Sequence, residues 1–258
     1  MMENIKLENF STGYKNKIII KPMNLSIKSD NWLGIIGANG SGKSTLVRAI
    51  CRIIKPFEGK VLLKGKDLNK LSNRYISQKI SFLPQGTNPN LIISVNDLVA
   101  LGRSPYKKFW EFDLNKKDKS IIEDSLKLVD IFDLKECLLS EISGGQRQRA
   151  FLALALAQET EIIILDEPTN YLDINHQIKF LKILKDLQLK KNLTIITVLH
   201  DLNLTARFSD RIVALKKGVL LEVGYPKDVL TKENIKDIFD IDVLISETEY
   251  GKQFYPIN

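Results

Sequence analysis

The chain has 258 residues, 38 Lys and Arg against 31 Asp and Glu for a formal charge of +7, and 44% apolar residues. That balance excludes a disordered tail protein, which would combine low hydrophobicity with high net charge; a chain this long buries roughly 70–75% of the surface its unfolded form exposes. The longest unbroken apolar run, Ala150 to Ala157, falls far short of the about 20 residues a membrane span needs.

The Met1-Met2-Glu3-Asn4 start has no basic segment leading into an apolar core, so no signal peptide is expected. Cys51 and Cys137 stand alone, without C-x-x-C or metal-ligand spacing, and read as reduced thiols in a cytosolic protein. The basic residues are 30 Lys and only 8 Arg. A nucleic-acid reader would be expected to use Arg forks and stacking aromatics. The scattered Lys, together with 32 Ile and 9 Ala, reads as solvated surface shaped by codon bias. The competing reading is a basic face for anionic lipid or polyanion.

In chain order, Ile5 and Leu7, then Met23, Leu25 and Ile27, alternate with polar residues and predict half-buried antiparallel strands. Trp32 to Ile36 is a short apolar run stopped by Gly37, as in a buried strand. Leu46, Ile50 and Ile53 follow at helical spacing. Val61 to Leu63 and Ile80 to Leu83 predict further strands. From about Val95 to Gln158 the pattern is mostly helical, clearest over Ser120–Val129 and Gly145–Ala157. Ile162 to Leu165 predicts another buried strand, and Ile174, Ile178, Leu181 and Leu184 one helix face. A strand at Leu193–Leu199, a helix at Asp201–Phe208 and a strand at Arg211–Leu215 complete the pattern. Strands alternating with helices predict an α/β fold with a mostly parallel sheet, interrupted by a helical insertion.

Gly37-Ala38-Asn39-Gly40-Ser41-Gly42-Lys43-Ser44-Thr45 fits G-x-x-x-x-G-K-[ST], with a strand before it and a helix after. Such glycines let successive backbone N–H groups face one point, and the following helix adds its positive end. Lys43 can reach the β- and γ-phosphates, Ser44 can ligate Mg²⁺, and Thr45 sits near the phosphates. Ile162-Ile163-Ile164-Leu165 runs into Asp166 and Glu167 at a strand's carboxyl end, where open parallel sheets place their ligands. Asp166 can support the metal, and Glu167 can orient and polarise a water for attack on the γ-phosphate. Ser143-Gly144-Gly145-Gln146, just before a helix, makes a second anion cradle. Two cradles make sense if each serves a different nucleotide across a dimer.

These elements resemble the ATP-binding-cassette (ABC) ATPases, whose signature, commonly L-S-G-G-Q, appears here as Ile142-Ser143-Gly144-Gly145-Gln146. The resemblance implies a P-loop NTPase ABC cassette: a mostly parallel core sheet, an antiparallel β subdomain and an inserted α-helical subdomain. It implies one domain over 1–258, with a catalytic lobe at about 1–85 and 160–240, a helical lobe at about 86–159 and a tail at about 241–258. ATP and Mg²⁺ are the implied cofactors. Tyr14 resembles the aromatic that stacks on adenine, and Gln85 the glutamine that senses metal and water and leads into the helical lobe. His200 resembles the switch histidine that contacts the γ-phosphate; His176, judged by itself, reads as helix surface. Asn170-Tyr171-Leu172-Asp173 occupies the loop that crosses the dimer interface. The usual form there is closer to S-A-L-D, so Asp173 matches while Asn170 and Tyr171 depart.

One cassette without a span resembles the ATPase subunit of an importer. Leu101-Gly102-Arg103-Ser104-Pro105-Tyr106 resembles a G-R-x-P segment of the iron-chelate (siderophore), haem and vitamin B12 uptake group. Leu172 to Gln177 and Val198 to Asn203 resemble two further stretches of that group. The implied partners are a second copy of the chain, a transmembrane permease contacted by the region after Gln85 and around Arg103, and indirectly a substrate-binding protein. No nucleic acid is expected. The implied location is the cytoplasmic side of the inner membrane, as a peripheral subunit. Rival readings are another ABC transporter, exporters included, or a soluble ABC protein acting on ribosomes or DNA. The first kind of soluble protein usually has two cassettes, and the second a long coiled coil.

Overall fold

In the computed structural model, residues 3–86, 91–108, 113–170, 172–248 and 251–257 are described; Met1, Met2 and Tyr171 lie outside them. The chain forms two compact units, residues 1–71 with 188–258, and residues 72–187.

The alternating apolar residues at the start of the first unit form antiparallel strands. β1 (Glu3–Tyr14) pairs with β2 (Lys17–Lys28), setting Leu7 opposite Leu25 and Phe10 opposite Met23. Register shifts along β1 mark bulges that bend the ribbon. Next come β3 (Trp32–Ile36), buried at all five positions, and α1 (Lys43–Ile50). Leu46 and Ile50 are fully buried as the spacing predicts, but the helix ends at Ile50 and leaves Ile53 59% exposed. β4 (Pro56–Leu63) pairs with the other edge of β1 and with β5 (Lys66–Asp67), giving the order β2-β1-β4-β5.

The second unit begins with α2 (Asn73–Ser77) and β6 (Ile80–Leu83). α3 (Val95–Ala100) runs into a 3₁₀ turn over Leu101–Tyr106, and α4 (Lys116–Leu128) and α5 (Gly144–Ala157) follow. α3 and α4 both pack on α5, whose alanines let neighbouring helices approach closely. β7 (Ile162–Asp166) returns parallel to β6, with Phe82 opposite Ile164. α6 (Ile174–Lys191) then leads back to the first unit. Its buried apolar face is Phe180, Leu181, Leu184 and Leu187; Ile178, expected on that face, is half-buried, and Ile174 is 76% exposed because it begins the helix before the apolar stripe turns inward.

Arg103 sits inside the second unit, 3% exposed. It donates from Nε to Asp118 Oδ1 at 2.8 Å and from Nη1 to the Ala157 carbonyl at 2.7 Å and Glu159 Oε2 at 3.0 Å. Its guanidinium lies 4.2 Å from the Tyr106 ring centroid, and the Tyr106 hydroxyl donates to the Gln158 carbonyl at 2.8 Å. Burial raises the Tyr106 phenol above its ordinary range, and Arg103 opposes that shift. The arginine thus ties the 3₁₀ turn to α4 and to the end of α5.

Back in the first unit, β8 (Thr194–Val198), α7 (Leu202–Phe208), β9 (Arg211–Lys216) and β10 (Val219–Gly224) follow. β3 lies between β8 and β9, parallel to both, and β10 pairs antiparallel with β9. Trp32, fully buried, donates its indole N–H to Thr197 Oγ1 at 2.8 Å and packs on Phe208. α8 (Pro226–Val229), α9 (Lys232–Phe239), β11 (Asp242–Thr248) and β12 (Gly251–Ile257) complete the chain. The last two strands form an antiparallel hairpin. Its Val243 and Phe254 join Val229, Leu230, Ile235 and Ile238 in one apolar cluster with Ile36, Ile212 and Ala214. No helix among the described residues is long and apolar enough to cross a membrane.

Candidate functional site

In the first unit, β3 ends at Ile36 and the chain coils through the glycine-rich loop into α1. Gly40 and Gly42 have φ of +76° and +102°, a region L side chains rarely enter, and they turn the backbone without strain. Around Gly40 a Cβ would meet nothing within 4 Å, so the backbone there faces open space. The loop is braced from outside: Gly218 N donates to Ser41 O at 2.9 Å, and Lys21 N to Gly218 O at 2.8 Å. Lys43, 5% exposed, folds back and donates to the carbonyls of Gly37 at 2.8 Å and Ala38 at 3.1 Å.

Six other helix starts are closed by side chains: Ser72, Ser94, Asn115, Ser143, Asp201 and Thr231 cap α2, α3, α4, α5, α7 and α9, while the short α8 starts uncapped with Pro226 in its first turn. α1 begins at Gly42 with no side-chain cap and no acidic residue in its first turn. Uncapped first-turn N–H groups and the positive helix end suit an anion. The Ser41 hydroxyl is buried without a hydrogen-bond partner. A buried orphan of this kind fits an acceptor such as a phosphate oxygen. The loop residues Gly37, Asn39, Gly40, Ser41, Gly42, Lys43, Ser44 and Thr45 therefore fit a polyphosphate.

Tyr14, ending β1, is 43% exposed, and Arg48 of α1 donates to its hydroxyl at 3.4 Å. The phenol thus lies by the helix that follows the loop, with ring surface available for stacking. His200 is exposed two residues beyond β8. Because β8 is parallel to β3, His200 and the phosphate loop follow the carboxyl ends of adjacent strands.

In the second unit the carboxyl ends of β6 and β7 carry the other candidates. Asp166, the last residue of β7, is fully buried. Glu167 follows with φ +53° and is half-buried. Gln85, two residues past β6, donates its side-chain amide to Glu167 Oε2 at 2.5 Å. Asn170 donates to the same oxygen, also at 2.5 Å. The sequence marks Asn170 only as a departure from the family pattern; the signal for this contact is an amide three residues after an acid, across the turn of Pro168.

Ser143 and Gln146 form a reciprocal capping box: Gln146 N donates to Ser143 Oγ at 3.2 Å and Ser143 N to Gln146 Oε1 at 2.8 Å. A Cβ on Gly144 would meet nothing within 4 Å, whereas one on Gly145 would lie 3.4 Å from Leu172 and 3.7 Å from His176. The signature and the loop before α6 therefore lie together. Asp173 accepts from His176 N at 2.9 Å and contacts His176 Nδ1 at 2.8 Å. The backbone N–H of His176, and next its side chain, hold the Asp173 carboxyl below the ordinary range. His176, expected on the helix surface, is exposed there and pairs with Asp173.

Among the described residues no group of three His, Cys, Asp or Glu could hold a metal. Each unit by itself carries a hard oxygen donor of the kind Mg²⁺ takes beside phosphates and waters, the Ser44 hydroxyl in the first and the Asp166 carboxylate in the second.

A glycine-rich loop opening an uncapped helix after a buried parallel strand, with acids at the end of another, defines a P-loop nucleotide-binding protein. The ABC transporter family model matches residues 20–170. The chain belongs to that family, and is an ATPase with the P-loop ABC fold. It is 40% identical over 246 residues to the Bacillus subtilis protein named "Probable siderophore transport system ATP-binding protein YusV", covering 95% of this chain and 89% of the relative. It is 38% identical over 244 residues to the iron(3+)-hydroxamate import ATP-binding protein FhuC of Bacillus subtilis, covering 95% and 90%. A solved dimeric ATP-binding cassette in a post-hydrolysis state with ADP and Pi superposes with TM-score 0.75 at 31% identity, covering 86% of this chain and 98% of that one.

Proposed function

We propose that this chain is the ATP-hydrolysing subunit that energises uptake of an iron chelate, with haem and cobalamin as chemically related alternatives, through a separate transmembrane permease. The observation that carries the substrate class is the 36–40% identity, over 95% of this chain, to relatives named for siderophore, iron-hydroxamate and achromobactin systems. The subunit works on the cytoplasmic face of the membrane, and its cargo reaches the permease by way of a substrate-binding protein. The helical region after Gln85 meets the permease. Arg103, being buried, contributes to that surface by shaping the 3₁₀ turn.

Each site residue takes a role its environment suits. Tyr14 stacks on adenine. The loop amides and Lys43 hold the β- and γ-phosphates; Lys43 then exchanges its two carbonyl acceptors for phosphate oxygens. Ser44, Asp166 and Gln85 are the residues that hold Mg²⁺, which when bound neutralises charge on the phosphate oxygens. Glu167 orients the attacking water, and His200 contacts the γ-phosphate. Ser143, Gly144, Gly145 and Gln146 of one copy close on nucleotide held by a second copy, and Asp173 lies in the loop crossing between them. Closure is a population shift, driven by higher nucleotide affinity of the closed pair.

Glu167→Gln is expected to slow phosphate release by orders of magnitude while ATP still drives dimerisation, read by light scattering. Near-normal release would refute the assignment of Glu167. For the cargo, cells lacking this subunit but keeping permease and binding protein should lose uptake of ⁵⁵Fe-siderophore; unchanged uptake would refute the substrate class.

A further inference from the structure

We infer that Asn170 is a positioning residue for the hydrolytic carboxylate: it fixes the rotation of Glu167 jointly with Gln85. The inference rests on the reading of Glu167 as the water-orienting group. Both side-chain amides converge on Glu167 Oε2 at 2.5 Å, one reaching it from the end of β6 and the other from within the turn after β7. Glutamate has three rotatable side-chain bonds, and an in-line attack tolerates little error; a displacement of about 1 Å can cost on the order of 100-fold in rate. Two donors on one oxygen remove that freedom before the water arrives.

The backbone supports the same geometry. Glu167 has φ +53°, which a β-carbon makes costly, and Asn170 N returns to Glu167 O at 3.4 Å to close the turn. Pro168 restricts its own φ inside that turn. Asn170 thus returns to Glu167 through main chain and side chain together. An amide is the chemistry this place requires, because it donates to a carboxylate without adding charge. A serine, as in the usual family form, keeps a donor on a shorter arm. An aspartate keeps the shape but would face Glu167 with a second carboxylate.

Steady-state ATPase assays on the full chain test this. Asn170→Ala should lower kcat about ten-fold or more, with KM for ATP and ATP affinity within about two-fold. Asn170→Asp should be at least as impaired, and Asn170→Ser should recover part of the loss. In a Glu167→Gln background, Asn170→Ala should change kcat no further. A residue that only shaped the turn would give a lower melting midpoint in Asn170→Ala, a normal kcat per folded molecule, and a wild-type Asn170→Asp. Asn170→Ala and Asn170→Asp turning over within two-fold of wild type, while Glu167→Gln is inactive, overturns this inference and leaves the base intact. A Glu167→Gln protein with normal turnover overturns the base itself. Should Asn170→Ala fail to fold, the near-isosteric Asn170→Asp decides, with impaired kcat supporting the inference and normal kcat overturning it.

Discussion

Replacing Arg103 with alanine removes a buried polar tie inside the second unit. The Arg103 and Asp118 side chains are only 4% and 7% exposed, and their contact is 2.8 Å. Deleting the cation strands a buried carboxylate, and breaking such a pair from one side costs about 3–5 kcal/mol. The contact with Glu159 adds less, about 1 kcal/mol at most, because that glutamate is 46% exposed and screened by water. The lost donation to the Ala157 carbonyl and the lost Tyr106 stacking act in the same direction. A total near 4 kcal/mol corresponds, at about 2–4 °C per kcal/mol for a chain of this size, to a fall of about 10 °C in Tm. Far-UV circular dichroism during heating and urea titration reads this, with Glu159→Gln as the exposed control. Arg103→Met combined with Asp118→Leu should recover much of the loss, since no buried charge is stranded. Arg103→Ala losing under about 1 kcal/mol, or no more than Glu159→Gln, would refute the buried-pair argument.

Lys43→Ala should weaken ATP binding by about ten-fold or more, the scale of one charge-assisted hydrogen bond; unchanged affinity by calorimetry would count against its phosphate role. Gly42→Ala places a side chain at φ +102° with its Cβ 2.6 Å from Ile20 Cδ1. It should cost about 1–3 kcal/mol and also weaken ATP binding, so unaltered Tm and affinity would contradict the loop geometry. The Asp173 carboxyl lies below its ordinary value in the folded chain, so its contribution to stability is complete above that ordinary value, about 3.9, and is lost as pH falls through the lowered one. Carboxyl-carbon NMR should show the low titration. His176→Ala should leave the larger part of it, because the main-chain N–H is the first cause; an Asp173 titrating at its ordinary pH would reject the capping geometry.

The phosphate loop was readable because its chemistry is local: nine consecutive residues carry both the glycines and the ligating side chains. β6 was also readable, since Ile80, Phe82 and Leu83 crowd apolar bulk into four residues around the small Ser81, and the strand spans those four residues. Arg103 was not, because a charge is buried only when its partners arrive from elsewhere. Asp118 lies 15 residues on and Ala157 54, so no window around Arg103 reveals them. Asn170 was seen only as a departure from the family pattern; its contact with Gln85's acceptor depends on two strand ends meeting. The helices and hairpin after Gly224 escaped notice for a related reason. Which of their apolar residues face inward, such as Ile238, Val243 and Phe254, is decided only when they pack against distant strands.

That cluster has a consequence for how the protein is made. Ile36, the residue just before the phosphate loop, belongs to the same apolar cluster as Val243 and Phe254 of the hairpin and residues of the helices before it. During synthesis the loop is complete once residue 45 has been added, yet Val243 and Phe254 of that cluster are added roughly two hundred residues later. A nascent chain therefore carries a finished nucleotide motif on an unfinished support. Removing the hairpin therefore takes apolar support from the same cluster that a lesion at Ile36 would disturb.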